Sequence, residues 1–362
     1  VIYNQSDPIA PLELTIEANE RMGADGTVVR DLDEAALATD LAGLGREGVE
    51  ALTVSLINSY TNGSHEARVR EIAMEVLPGI PVSLSSLVIP EMQEYERTVT
   101  TVANSYVRPK VEVYLKNLER ELATKMGRVK LNILRSDGGL ASAGAAANYP
   151  VNMLMSGPAG GVAGAIWVAR NAGFDNLLTL DMGGTSTDVA LVQDGVAQIR
   201  RETTVGDVTV RASSIDVRSV GAGGGSIAHV PELTGALRVG PQSAGADPGP
   251  AAYNRGGTEP TVTDANLVLG YLPGAAKLGG DMAIDVDSAR VAVTRIAEAM
   301  NLPVERAAAG IYDIVNENMF GALRLVSVEK GYDPRDFALI AFGGAGPLHA
   351  NALGRLMGSW PV

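Results

Sequence analysis

Residues 178–192 read Leu178-Thr179-Leu180-Asp181-Met182-Gly183-Gly184-Thr185-Ser186-Thr187-Asp188-Val189-Ala190-Leu191-Val192. An apolar strand delivers an acid at its end, two glycines make a tight turn, and a second apolar strand returns. Backbone amides at such a turn point outward, and glycine lets a ligand approach closely. Thr185, Ser186 and Thr187 add hydroxyls, so residues 183–187 form a candidate cradle for phosphate oxygens. Asp181 is placed to hold Mg²⁺ through water or to orient an attacking water, and Asp188 is the second candidate catalytic acid. The plainer alternative is a hairpin whose Asp and Thr side chains only satisfy their own turn.

The bulk of the chain narrows the rest. The 362 residues allow two domains, and a hydrophobic content of 46% is enough for a sizeable core. With 42 glycines and only 4% aromatics, that core is aliphatic and glycine-punctuated, which suits α/β packing. A net charge of −13 without a basic run argues against nucleic acid or an acidic membrane as partner. Any bound phosphate must then be held by backbone amides and a metal. The chain has no cysteine, which excludes disulfides, thiolate metal sites and cysteine nucleophiles, and is compatible with a cytoplasmic location. No stretch reaches the ~20 apolar residues of a membrane span. The opening Val1-Ile2-Tyr3 lacks a Met and reads as a fragment or processed product.

Helix–strand alternation is expected over residues 32–85, with strands at 49–57 and 81–84 and a helix at 65–77. A long helical region, 91–126, is interrupted at Pro109 and carries Val102, Tyr106, Val113, Leu118 and Leu122 as its apolar stripe. A helix starts at Ser156-Gly157-Pro158, where Gly160, Gly161, Gly164 and Ala165 permit close approach of another element. Residues 198–217 read as β-rich, 285–300 and 303–329 as helices, and 337–342 as a buried strand.

Two glycine loops stand out. Gly343-Gly344-Ala345-Gly346 lies between that strand and a last helix, where bare backbone can receive a flat ring or ribose. Gly221-Ala222-Gly223-Gly224-Gly225-Ser226 implies that a ligand or another backbone comes close, since ordering each glycine costs ~1 kcal/mol relative to Ala. Close strand–helix packing and a ligand-free turn are the respective alternatives. Thr263 or Asp264 reads as a helix cap. His65, His229 and His349 show no paired metal spacing; His65 reads as a surface helix start and His349 as a packing residue, with ligand contact after the glycine turn as the alternative.

The hairpin resembles a phosphate-binding element of the actin/Hsp70/sugar-kinase ATPase superfamily, and its Thr-Ser-Thr-Asp form is similar to the hydantoinase A/5-oxoprolinase family. Matching segments follow in family order: Ser136-Asp137-Gly138-Gly139-Leu140, Ser156-Gly157-Pro158-Ala159, residues 220–227, 243–250 and 256–266, and Phe342-Gly343-Gly344-Ala345-Gly346-Pro347-Leu348-His349. The resemblance implies an RNase H-like/actin-like α/β ATPase lobe over residues 91–362, with residues 1–90 as the remnant of a first α/β lobe joined by a bridging helix. It implies ATP, with Mg²⁺ or another divalent metal at Asp181. Phosphates would lie on Gly183, Gly184, Thr185, Ser186 and Thr187, and adenosine on Gly343, Gly344 and Gly346, with Gly223, Gly224 and Gly225 beside the nucleotide. The implied activity is ATP-dependent opening of a cyclic amide such as a hydantoin or 5-oxoproline, through phosphorylation of the amide oxygen. The implied partners are a hydantoinase B-like subunit or domain and further copies in an oligomer. An N-terminal hairpin of the same type and the family's C-terminal region are missing from this sequence, so the chain alone is expected to be inactive. Arg218 stands where many relatives place a His, and Ala252 where a Cys is common. Two competing readings remain: a subunit of an ATP-dependent ketone carboxylase, and a non-catalytic assembly module.

Overall fold

A computed structural model describes residues 8–127 and 129–362; the Val1-Ile2-Tyr3 opening lies outside the described residues. The chain divides into two compact units, one comprising residues up to Ala159 together with Ile199–Ile215, the other Gly160–Gln198 with Asp216–Val362.

In the first unit, helix α1 (Glu34–Arg46) starts at Asp33, whose side chain accepts from the Ala36 amide. Strand β1 (Leu52–Val54), helix α2 (Ser64–Val76) and strand β2 (Val82–Leu84) follow, and β1 and β2 pair in parallel. Leu37, Leu41 and Leu44 recur at helical spacing and pack on Val54, Val69, Ile72 and Leu84. Strand β1 is shorter than its apolar run, the chain turning at residues 57–60, and β2 passes directly into a short helix, Ser85–Val88.

Helix α3 (Glu94–Met126) runs without a break through Pro109, contrary to the interruption expected there. A proline removes one amide donor. Here the turn before it is tethered: Thr101 donates to the Arg97 carbonyl, and Asn104 and Arg108 bond Ser83, Asn148 and Val82. The expected apolar stripe is also not the buried one. Tyr106 and Val113 are 72% and 59% exposed, whereas Arg97, Thr100, Thr101, Asn104 and Ser105 are buried. Periodicity misled here because the buried face is polar and satisfied by hydrogen bonds.

The second unit centres on a five-stranded sheet. Helix α4 (Ser156–Asn171) leads to strands β3 (Leu177–Met182), β4 (Thr187–Gln193) and β5 (Val196–Ala197). Strand β6 (Val217–Val220) pairs antiparallel with β4, and β5 pairs with β4 as well. Helices α5 (Val262–Val268), α6 (Val286–Met300) and α7 (Val304–Val326) precede strand β7 (Ala338–Phe342) and helix α8 (Gly346–Met357). Strand β7 lies parallel to β3, placing Phe342 beside Asp181, while the β3–β4 register places Asp188 on Asp181's other side. Ile311, Val315, Met319 and Leu323, one helical turn apart on α7, are fully buried in the core beneath the sheet. No described helix is long and apolar enough to cross a membrane.

Candidate functional site

The parallel pairing of β7 with β3 brings two loops to one end of the sheet: the Gly183–Ser186 turn and the Gly343–Gly346 turn. In open α/β sheets, ligands bind beyond the carboxyl ends of such strands. The hairpin turn closes through a bond from the Gly183 amide to the Ser186 carbonyl, 3.0 Å. Gly184, Thr185 and Ser186 are exposed, and their amides have no hydrogen-bond partner among the described residues. Thr187 differs. As the first residue of β4 it turns inward, fully buried, and its hydroxyl donates to the Ala222 carbonyl at 2.5 Å. Of the hydroxyls at this turn, Thr185 and Ser186 therefore face solvent and Thr187 does not.

The loop at 221–226 is brought against the hairpin by backbone. The Gly224 amide donates to the Gly183 carbonyl at 3.0 Å and the Gly225 amide to the Gly184 carbonyl at 2.6 Å. A methyl group at Gly223 would lie 2.6 Å from the Gly184 carbonyl. The close neighbour expected at this loop is thus the hairpin backbone, and the Gly224 and Gly225 amides are committed to it. Ser226 is buried and accepts from the Gly223 amide at 2.8 Å. Helix α5 supports the loop in turn, since the Thr263 amide and hydroxyl both donate to the Gly224 carbonyl.

Asp181 is half-buried in a tight setting. A side chain at Gly343 would come within 2.4 Å of its Oδ1, and one at Gly161 within 2.8 Å of the Phe342 ring and 3.4 Å of Asp181 Oδ2. Gly343 also has φ +82°, which glycine adopts without strain. Gly161 thus fulfils the expected close approach of α4, whereas Gly164 meets nothing within 4 Å. Burial, and after it the negative charge of Asp188, raise the Asp181 pKa. Asp188 accepts a 2.5 Å bond from Ser219, a residue on β6 that sequence reasoning passed over. Only the strand register reveals it. No cluster of three or more His, Cys, Asp or Glu residues suited to a metal occurs among the described residues, so any cation here would rest on the two carboxylates, water and a ligand.

Near the second turn, the Ala345 amide donates to the Met182 carbonyl at 2.9 Å, tying the turn to β3. Gly344 is exposed; Gly346 is buried and opens helix α8. One turn into that helix, His349 is fully buried. Its Nδ1 meets Asn316 Oδ1 at 2.9 Å, its Nε2 meets Asn266 Nδ2 at 3.2 Å, and its ring stacks on Tyr312 at 4.7 Å. Burial lowers its pKa to about 4. Packing, the expected role of His349, is the one it has. Thr261 caps α5, and Asp264 completes the capping box while also accepting from the Ala252 amide, so the cap lies two residues before Thr263.

The hydantoinase/oxoprolinase family profile matches residues 97–361, and the profile of that family's N-terminal region matches residues 1–77. The chain belongs to the hydantoinase/oxoprolinase family. It is 39% identical over 358 residues to caprolactamase subunit alpha of Pseudomonas jessenii, an alignment covering 99% of this chain and 51% of that one. A nucleotide-free structure of acetone carboxylase superposes with a TM-score of 0.82 at 31% identity, over 98% of this chain and 50% of that one. The ATP-dependent caprolactamase structure from Pseudomonas jessenii gives 0.79 at 40% identity, over 94% and 50%. The chain spans about half the length of these relatives.

Proposed function

We propose that this chain supplies an actin-like, nucleotide-binding lobe to an enzyme that opens a cyclic amide of the hydantoin or 5-oxoproline type at the expense of ATP. The observation that carries this reading is the exposed turn at Gly184, Thr185 and Ser186. Three amides without a partner among the described residues and two hydroxyls stand there beside the Asp181–Asp188 pair and the Gly343–Gly344 backbone. Amides without partners among the described residues fit phosphate oxygens in a chain whose sequence carries no long run of Lys or Arg. The ATP-dependent relative named above supports the same reading.

Gly184, Thr185 and Ser186 would hold phosphates, Gly183 would close their turn through its bond to Ser186, and Gly343, Gly344 and Gly346 would border the adenosine. Gly223, Gly224 and Gly225 would act through the hairpin they brace, and Thr187 through its anchor on Ala222. Mg²⁺ at Asp181 and Asp188 would relieve the repulsion between two adjacent carboxylates. Bound ATP would supply the phosphoryl group that activates an amide oxygen toward water. Asp181, at the end of β3 beside the turn, would also be placed to orient that water. A hydantoinase B-like subunit or domain and self-association would complete the active assembly.

Calorimetric titration of MgATP into the chain and into Asp181→Asn and Gly184→Val tests the site. Saturable binding that weakens at least tenfold in both variants supports the assignment. Binding unchanged in both would remove the nucleotide from this hairpin.

A further inference from the structure

Away from the hairpin, the first unit contains a cavity of about 260 Å³ between α2, β2 and α3. Two guanidiniums line it, Arg70 from α2 and Arg108 from α3. No Asp or Glu lines it, and Arg70 has no hydrogen-bond or carboxylate partner among the described residues. Arg108 is held by the fold: it donates to the Val82 carbonyl at 2.8 Å and to Asn148 Oδ1 at 2.8 Å, while its Nε is buried without a partner. Burial, together with the positive charge of Arg70, lowers the Arg108 pKa, whereas Glu112 acts in the opposite sense. Met74, Ile80, Leu87 and Val88 also line the space, Met74 one helical turn from Arg70 on α2, with Met74 62% and Leu87 50% exposed.

Two like charges facing one partly desolvated space repel, and although Glu112 acts on Arg108 from outside the lining, no carboxylate lines the space to offset that repulsion. An anion entering the cavity removes it. The two cations alone would suit inorganic phosphate as well as a carboxylate. The aliphatic lining separates the two, because phosphate has no surface to bury on it and an alkyl chain gains ~0.8 kcal/mol per buried methylene. The lining is shared between polar groups, Ser83, Asn148 and Tyr149 beside the two arginines, and aliphatic ones, which suits a ligand with one charged and one apolar end.

We infer that the Arg70–Arg108 cavity binds a small organic monocarboxylate carrying a short apolar chain or ring. The carboxylate lies between the two guanidiniums and the apolar body lies against Met74, Ile80, Leu87 and Val88. The assignment is independent of the nucleotide reading, since every lining residue belongs to the first unit.

The test is ligand-detected NMR titration of the full chain with hexanoate, acetate, hexanamide and inorganic phosphate, repeated on Arg70→Gln and Met74→Asp. Arg70 makes no bond that the fold depends on, so its replacement leaves the melting temperature in place, which a thermal scan verifies alongside. The expected result is saturable hexanoate binding, at least tenfold weaker for acetate, hexanamide and phosphate, and at least tenfold weaker in each variant. Phosphate binding as tight as hexanoate would overturn the ligand class. Absence of saturable hexanoate binding, or binding indifferent to Arg70→Gln, would overturn the site.

Discussion

Acidification should destabilise the second unit through a single histidine. His349 is fully buried, and its ring sits in a donor–acceptor arrangement that only the neutral form satisfies. With the proton on Nδ1, the ring donates to Asn316 Oδ1 and accepts from Asn266 Nδ2 at Nε2. Protonating Nε2 would set an N–H against the Asn266 amide N–H and place a charge where no carboxylate partners it. The folded state therefore holds the group at about 4, against an ordinary value of 6.5. Because the folded pKa is depressed, the unfolded chain binds the extra proton across this window. The stabilisation is complete above pH 6.5 and is lost as pH falls toward 4. By linkage the loss is about 2 kcal/mol at pH 5 and about 3 kcal/mol once both states are protonated. Asp181 and Asp264 act in the opposite sense, since burial raises both pKa values and acid relieves their burial cost. Comparison with His349→Gln removes them, because both proteins share those carboxylates. Urea unfolding of the two proteins from pH 7 to 4.5 is the assay. The wild type should lose about 2 kcal/mol more than the variant between pH 7 and pH 5. Parallel pH profiles would refute the assigned protonation and the network behind it.

Four further outcomes are expected. Asp181→Asn should raise stability near neutral pH by up to about 1 kcal/mol, because it removes one of two adjacent, partly buried carboxylates, and thermal unfolding would register a melting temperature that does not fall. Gly343→Ala should destabilise by about 1–3 kcal/mol, since a methyl group there meets Asp181 Oδ1 at 2.4 Å on a backbone of φ +82°, while Gly184→Ala, with nothing within 4 Å, should leave unfolding within about 0.5 kcal/mol of wild type. Gly223→Ala should be as damaging as Gly343→Ala, and hydrogen exchange would detect it as lost protection at the Gly224 and Gly225 amides, which brace the hairpin. Thr261→Ala removes the α5 cap and one partner of buried Asp264, and should cost about 1–2 kcal/mol in a denaturant melt.

Much of the site could be read from residue order alone. A strand ending in Asp181, the Gly183-Gly184 turn and a returning strand form one local hairpin, and local hydrogen bonding follows local pattern. The helices at 286–300 and 304–326 and the strand at 338–342 were legible for the same reason: their apolar residues keep a regular period over enough positions. So was the family, because several glycine-rich segments recur in one order. Tertiary structure decided what those segments touch. Whether Thr187 offers its hydroxyl to a ligand depends on Ala222, thirty-five residues away, and its inward turn is a matter of strand register. The glycines at 223–225 announce a close approach, but only the folded chain identifies the neighbour as the hairpin's own backbone. The polar buried face of α3 ran against its apolar period, because Arg97 and Asn104 find partners that lie far away in sequence. Sequence by itself determined which residues could make a turn, a strand or a cap, since those depend on backbone conformation within a few positions. Which amides remain free, which carboxylates face each other and which histidine stays neutral were decided by the register of β3 against β4 and β7 and by the packing of α5, α7 and α8, where the energies are long-range.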